Sequence, residues 1–168
     1  LCNSAGSFLS KKYHFDMIRP GISLYGGYGN KKIKREIKSV IKLKSKIIQI
    51  KKLNKNETVG YNQTYKTNKK IYIATVGIGY ADGITRLLSN IGNVYCKNKK
   101  FRILGNISMD TLVIDVTKLI KKINVGDYVE IINRNNDIEK IAKIGKTVSQ
   151  NIITSLGNRK RITVKYIK

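Results

Sequence analysis

The stretch IYIATVGIGYADG, residues 71–83, decides how the rest of the chain is read. Ile71, Ile73, Thr75 and Val76 carry the alternation and β-branching of a buried strand, and Asp82-Gly83 is a turn signal that stops it. Tyr80 therefore falls where a strand ends. Glycines at 79 and 83 let another backbone or a ligand come close, and a phenol so placed can give or take a proton if a cation stabilises its anion. The competing reading is a tyrosine that lids the core, its hydroxyl bonded locally.

Working outward, the sequence on both sides of this stretch is β. From Val40, the residues Ile41, Leu43, Ser45 and Ile47 face one way and Lys42, Lys44 and Lys46 the other. Ile48 and Ile50 then reverse the parity, which a β-bulge near Ile47 reconciles. Further strands are predicted at Asn93 to Lys97, Lys100 to Leu104, Thr111 to Val116 and Tyr128 to Ile132, with turns at Asn54, Asn98 and Gly126-Asp127. Many short strands with turns between them make an antiparallel barrel or sandwich. Helical spacing appears at Ile138 to Lys146 and Ser149 to Leu156, and Ile162, Val164 and Tyr166 alternate as a closing strand.

Residues 1–38 read differently. Asn3-Ser4-Ala5-Gly6 is a loop with a helix-start signature, leading into an amphipathic piece around Phe8 and Leu9. Phe15 to Arg19 reads as a short strand ended by Pro20-Gly21, followed by Ile22, Leu24 and Tyr25 and a glycine-rich exit at Gly26, Gly27 and Gly29. Strand, glycine turn and outward backbone amides suit a phosphate. Asn30 to Lys38 is a charged connector and the expected domain boundary. Leu1 begins in mid-pattern without a signal-peptide signature, which reads as a fragment or an unusual start.

The formal charge is +24, from 34 Lys and Arg against 10 Asp and Glu, which taken alone suggests nucleic acid or another polyanion. The lysines are spread along the chain, however, and no aromatic stacking set is interleaved with them. Only seven of the basic residues are arginine, and Lys, Ile and Asn, all encodable with A and T alone, abound throughout. A solvated basic surface is the simpler reading, with a repurposed polyanion-binding β domain as the alternative. Cys2 and Cys96 have no metal or redox spacing, which points to a reduced, cytoplasmic interior, and no apolar run is long enough to cross a bilayer.

Asn3-Ser4-Ala5, Arg19-Pro20-Gly21-Ile22, Leu24-Tyr25-Gly26, Val59-Gly60-Tyr61, Gly79 to Gly83, Ser108-Met109-Asp110, Asp115-Val116-Thr117 and Val125-Gly126-Asp127 occur in one order and spacing. In that order and spacing the chain resembles the carboxy-terminal part of alanine racemase. The resemblance implies a mainly β fold with some α. An antiparallel β domain at residues 39–168 would follow the last unit of a (β/α)8 barrel at residues 1–38. It also implies pyridoxal 5'-phosphate as cofactor, alanine as substrate and a role in D-alanine supply for peptidoglycan.

By the same resemblance, Ser4 and the backbone amides of Gly21 and Ile22 match positions that hold the cofactor phosphate. Arg19 matches an arginine that faces the pyridine nitrogen. An arginine keeps its proton, so it weakens the cofactor as an electron sink and leaves more of the Cα proton chemistry to two bases. Tyr80 matches the tyrosine that takes the Cα proton of L-alanine on one face, while a lysine serves the other. Met109 matches a residue whose backbone amide helps hold the substrate carboxylate. The tyrosine of the family reaches the cofactor of a partner subunit, which implies a homodimer, or a complex with a barrel-containing half. The lysine that forms a Schiff base with the cofactor has no counterpart in this sequence. Lys160 stands where a tyrosine usually touches the phosphate, and Ile84 where an aromatic is common.

Overall fold

The computed structural model describes residues 1–29, 37–157, 159 and 162–166. Its centre is a closed barrel of six antiparallel strands: β3 (Leu43–Leu53), β6 (Ile71–Val76), β7 (Asn93–Cys96), β8 (Lys99–Leu104), β9 (Leu112–Asp115) and β10 (Tyr128–Ile132). They pair around the barrel in the order β10, β3, β6, β9, β8, β7, and Glu130 opposite Tyr95 closes it. The choice between barrel and sandwich is thus resolved as a closed barrel.

β3 explains how the barrel curves. Its first half pairs with β10, Tyr128 opposite Lys46, and its second half with β6, from Ile47 opposite Val76 to Leu53 opposite Ile71. One strand can serve both neighbours only by bending, and the register shifts between Ile47 and Gln49. The parity reversal in the sequence is this bulge: Ile47 is buried, Ile48 turns out to solvent and Ile50 returns toward the core. Inward residues of every strand, Ile47, Val76, Val94, Ile103, Ile114 and Val129 among them, fill one apolar core.

Two helices complete the domain. α2 (Ile138–Ile144) begins at Asp137, whose carboxylate accepts from the Lys140 amide, and buries Ile138, Ile141 and Ala142. α3 (Ser149–Ser155) buries Ser149 and Ile152. A short hairpin of β4 (Thr58–Val59) and β5 (Tyr65–Lys66) covers a smaller apolar cluster of Leu53, Val59, Ile71, Ile73 and Leu104. Strands of two residues are too short to show a period, which is why the sequence pattern did not indicate them.

The amino-terminal segment is a separate, smaller construction. β1 (Cys2–Asn3) lies parallel to β2 (Ile18–Arg19), Cys2 opposite Ile18 and Asn3 opposite Arg19. Between them sits α1 (Ser4–Ser7), capped by Asn3, whose side chain accepts from the Gly6 amide. The strand expected over Phe15 to Arg19 shrinks to its last two residues, because Phe15 adopts a left-handed φ of 50° and because β1 offers only two residues to pair with.

Three further expectations are corrected. Ile162, Val164 and Tyr166 do not form a closing strand; the segment is irregular and Tyr166 is 94% exposed. A six-stranded barrel whose strands already pair all the way round has no edge left to accept another. Phe8 and Leu9 are exposed rather than packed along an amphipathic face. The amides of Tyr28 and Gly29, at the glycine-rich exit, face inward and donate to Glu139 Oε1 of α2 at 2.9 and 3.0 Å. Of the connector read as a boundary, residues 30–36 lie outside the described residues, as does Lys160. Among the described residues no helix is long and apolar enough to cross a membrane.

Candidate active site

Tyr80 opens a short 3-10 turn, Tyr80–Asp82, immediately after the barrel strand β6 and the linking residues Gly77 to Gly79. The turn is tied to the loop before β9 by two backbone hydrogen bonds: Tyr80 N donates to Ser108 O and Ala81 N to Met109 O, both at 3.0 Å. Gly79 is what allows the approach. A Cβ at that position would lie 2.3 Å from Ser108 O and 2.4 Å from Met109 O, both rigid backbone atoms. The loops therefore lie side by side and expose two side chains, Tyr80 at 42% and Met109 at 51%. Tyr80 is not a buried lid.

Asp82 holds the turn from beneath. It is 1% exposed, and its Oδ2 accepts from the Gly79 amide at 2.9 Å. Gly83, at φ 95°, brings the end of α3 against the turn: a Cβ there would meet Ser155 O at 2.1 Å. The chain leaving α3 then delivers Arg159, whose Nη1 bonds Asp110 Oδ1 and lies 3.7 Å from Asp82 Oδ1. Ser108 closes its own loop by bonding Thr111, Oγ to Oγ1 at 2.8 Å. Ile84 is core, buried beside the turn with its amide toward Gly79 O.

A second cluster belongs to the amino-terminal segment. Because β1 and β2 run parallel in register, the residues that follow them, Ser4 and Pro20-Gly21, emerge at the same end. The buried Ser4 Oγ accepts from the Gly21 amide at 2.8 Å, from Ser23 Oγ at 3.1 Å and from the Ser23 amide at 3.4 Å. With its oxygen engaged, the hydroxyl proton of Ser4 is the part left to donate. Ile22 begins the 3-10 turn Ile22–Tyr25, and the space beside Gly21 is open, since a Cβ there would meet nothing within 4 Å. The Gly21 amide is engaged by Ser4, so the donors turned to this open space are the Ser4 hydroxyl proton and the Ile22 amide at the start of the turn, and neutral donors of this kind fit a phosphate group. Arg19 is exposed on β2, next to this cluster in the chain.

Among the described residues, none of these hydrogen bonds runs from one cluster to the other. The two parts are joined by packing, with Ile22 resting on the main core, and by the hydrogen bonds of the Tyr28 and Gly29 amides to Glu139. Burial, together with the Asp137 and Glu139 carboxylates, pushes the Tyr28 phenol up from its ordinary value. Three participants escaped the sequence reading. Ser23 carried no signal beyond being a serine in a turn. Arg159 and Asp110 were visible as residues, but their pairing spans 49 positions and depends on how α3 docks.

A closed antiparallel β domain with an exposed phenol on its rim, preceded by a small strand–helix–glycine-turn segment, defines a two-part class of protein, a β barrel with an α/β segment before it. The family described as "Alanine racemase, C-terminal domain" matches residues 40–164, and "Alanine racemase, N-terminal domain" matches residues 1–29. The chain belongs to the alanine racemase family. It is 45% identical to the alanine racemase of Rickettsia bellii, over 96% of this chain and 40% of that protein, and 40% identical to that of Brucella ovis, over 95% and 44%. Its fold matches the crystal structure of alanine racemase from Bartonella henselae with covalently bound pyridoxal phosphate at a TM-score of 0.86 and 40% identity, covering 94% of this chain and 44% of that one. The Clostridium difficile enzyme in complex with cycloserine matches at 0.85 and 34%, over 94% of this chain and 43% of that one. The chain thus spans less than half the length of these relatives.

Proposed function

We propose that this chain supplies the carboxy-terminal part of a pyridoxal-phosphate-dependent alanine racemase, with residues 1–38 completing a barrel and residues 39–168 forming the β domain. The observation that carries this reading is the pairing of Tyr80 with Ser108 and Ala81 with Met109, which sets an exposed phenol and an exposed loop side by side on a rigid barrel rim. The cofactor, when bound, supplies the electron withdrawal that acidifies the Cα–H of alanine.

This chain's residues do the remainder. Ser4 would donate its hydroxyl proton to the phosphate with the Ile22 amide beside it, the Gly21 amide would hold the Ser4 oxygen in place, and Arg19 would present a fixed positive charge to the pyridine nitrogen. Met109 offers its backbone amide to the substrate carboxylate. Tyr80 takes the Cα proton of L-alanine on one face. A tyrosine's reference pKa is about 10, so positive charge around the assembled site must favour the phenolate. Inverting the centre needs a second base on the opposite face, which the resemblance assigns to a lysine of the barrel portion. Tyr80 serves the cofactor of a second subunit, in a homodimer or in a complex with a lysine-bearing barrel half, and the setting is cytoplasmic.

The test is reconstitution. This chain is combined with the lysine-bearing barrel half of a relative, and interconversion of L- and D-alanine is followed by circular dichroism with and without added pyridoxal phosphate. Cofactor-dependent interconversion that needs both parts is expected; its absence from a folded, associated mixture would contradict the reading.

A further inference from the structure

We infer that Arg159 is a positioning residue that holds the Tyr80 turn and the Met109 loop together as one unit. The inference rests on the assignment of Tyr80 and Met109 made above and adds the element that fixes their spacing. Asp82 lies two residues after Tyr80 and Asp110 one residue after Met109. The guanidinium of Arg159 reaches both carboxylates through Nη1, bonding Asp110 Oδ1 and approaching Asp82 Oδ1 to 3.7 Å. It clamps from outside the two loops that the backbone bonds of Tyr80 and Ala81 join from within.

The environments of the two carboxylates differ, and that gives the clamp a direction. The Asp82 side chain is 1% exposed and already accepts from the Gly79 amide, so it is a fixed point in the barrel. The Asp110 side chain is 50% exposed, at the end of a loop whose Ser108 and Met109 carbonyls accept from the Tyr80 and Ala81 amides. Arg159 draws the exposed loop toward the fixed one. The reach depends on α3, whose end packs on Gly83 closely enough that no Cβ would fit. A planar guanidinium can face two carboxylates at once, whereas an ammonium is a point charge and favours one.

Amide hydrogen exchange on the full chain tests this without passing through catalysis. In Arg159→Gln, exchange at Tyr80 and Ala81 is expected to rise about tenfold while the amides of β6 and β9 are unchanged, the size expected for a charge-assisted bond at a partly exposed pair. Asp110→Asn should do the same, and the double variant no more than either alone. Arg159→Lys should restore protection only in part. Unchanged exchange at Tyr80 and Ala81, or a uniform rise that includes β6 and β9, would overturn the clamp and leave the assignment of Tyr80 standing. In the reconstituted enzyme, Arg159→Gln should lower kcat/KM, with partial recovery in Arg159→Lys; wild-type kcat/KM in Arg159→Gln would also overturn it. Failure of the racemase reading would appear differently, as Tyr80→Phe without effect on exchange at alanine Cα.

Discussion

The rim of the barrel and the amino-terminal segment each carry part of one proposed site, yet they are built by different means. Tyr80 and Met109 stand on loops between barrel strands, fixed by paired backbones, a buried carboxylate and a glycine that admits no side chain. Ser4 and Gly21 stand after two parallel strands of two residues each, and their mutual position depends on the Ser4 hydroxyl. The first cluster inherits the rigidity of a core of fully buried residues; the second borrows its stability from side-chain hydrogen bonds and from docking on α2. A site split in this way has its proposed proton-transfer group, Tyr80, on the stiffer half, where positioning matters most.

Substitutions that separate the halves make the difference measurable. Leu112→Ala removes a fully buried side chain from β9 and should destabilise the barrel by about 2–5 kcal/mol in chemical denaturation, releasing the Tyr80 loop with it. A loss below 1 kcal/mol would mean that the barrel is less tightly packed than its burial indicates. Gly79→Ala should cost about 1–3 kcal/mol, since its Cβ meets two carbonyl oxygens that cannot move aside. Its amide-exchange signature should concentrate at residues 79–83 and 107–110.

Ser4→Ala acts on the other half. Loss of the acceptor for the Gly21 and Ser23 amides should cost about 1 kcal/mol locally, seen as faster exchange at Gly21 with the barrel's unfolding midpoint unchanged. A fall in the barrel midpoint would show that the two regions are one cooperative unit.

The smallest effect should be at Glu130, on the barrel wall far from either cluster in sequence. Burial raises this carboxyl, but hydrogen bonds from Lys42 and Asn133 outweigh it and hold the group below its ordinary value. A lowered folded-state value contributes stability that is present above the ordinary glutamate range and is lost as pH falls through the folded value. Glu130→Gln should therefore flatten the acid limb of the stability profile by less than about 1 kcal/mol, and less still at high salt, because Lys42 is largely exposed.

The sequence made the barrel legible where strands were long enough to show a period. The strand at Tyr128–Ile132 matches expectation residue for residue, and the parity reversal at Ile47 and Ile48 located the bulge of β3. It failed where pattern and environment part. Ile162, Val164 and Tyr166 alternate as a strand does, but the closed barrel leaves them no partner. The amides at Gly26 to Gly29 looked free for an anion, and a carboxylate more than a hundred residues away claims two of them, at Tyr28 and Gly29. The residues proposed for the site could be named one at a time, Tyr80, Ser4 and Gly21 among them. Their geometry could not be read: that Ser4 Oγ accepts from Gly21, or that Arg159 reaches Asp110, depends on long-range packing that no local window contains.

Isotope exchange reads directly which face of alanine Tyr80 serves. The reconstituted enzyme, wild type and Tyr80→Phe, is incubated in deuterated solvent with L-alanine or with D-alanine, and deuterium entering Cα is measured before racemisation proceeds. Tyr80→Phe should abolish exchange from L-alanine, a loss of about 10²-fold or more for a missing general base, and retain exchange from D-alanine through the lysine. Equal exchange from L-alanine in the two proteins would contradict it.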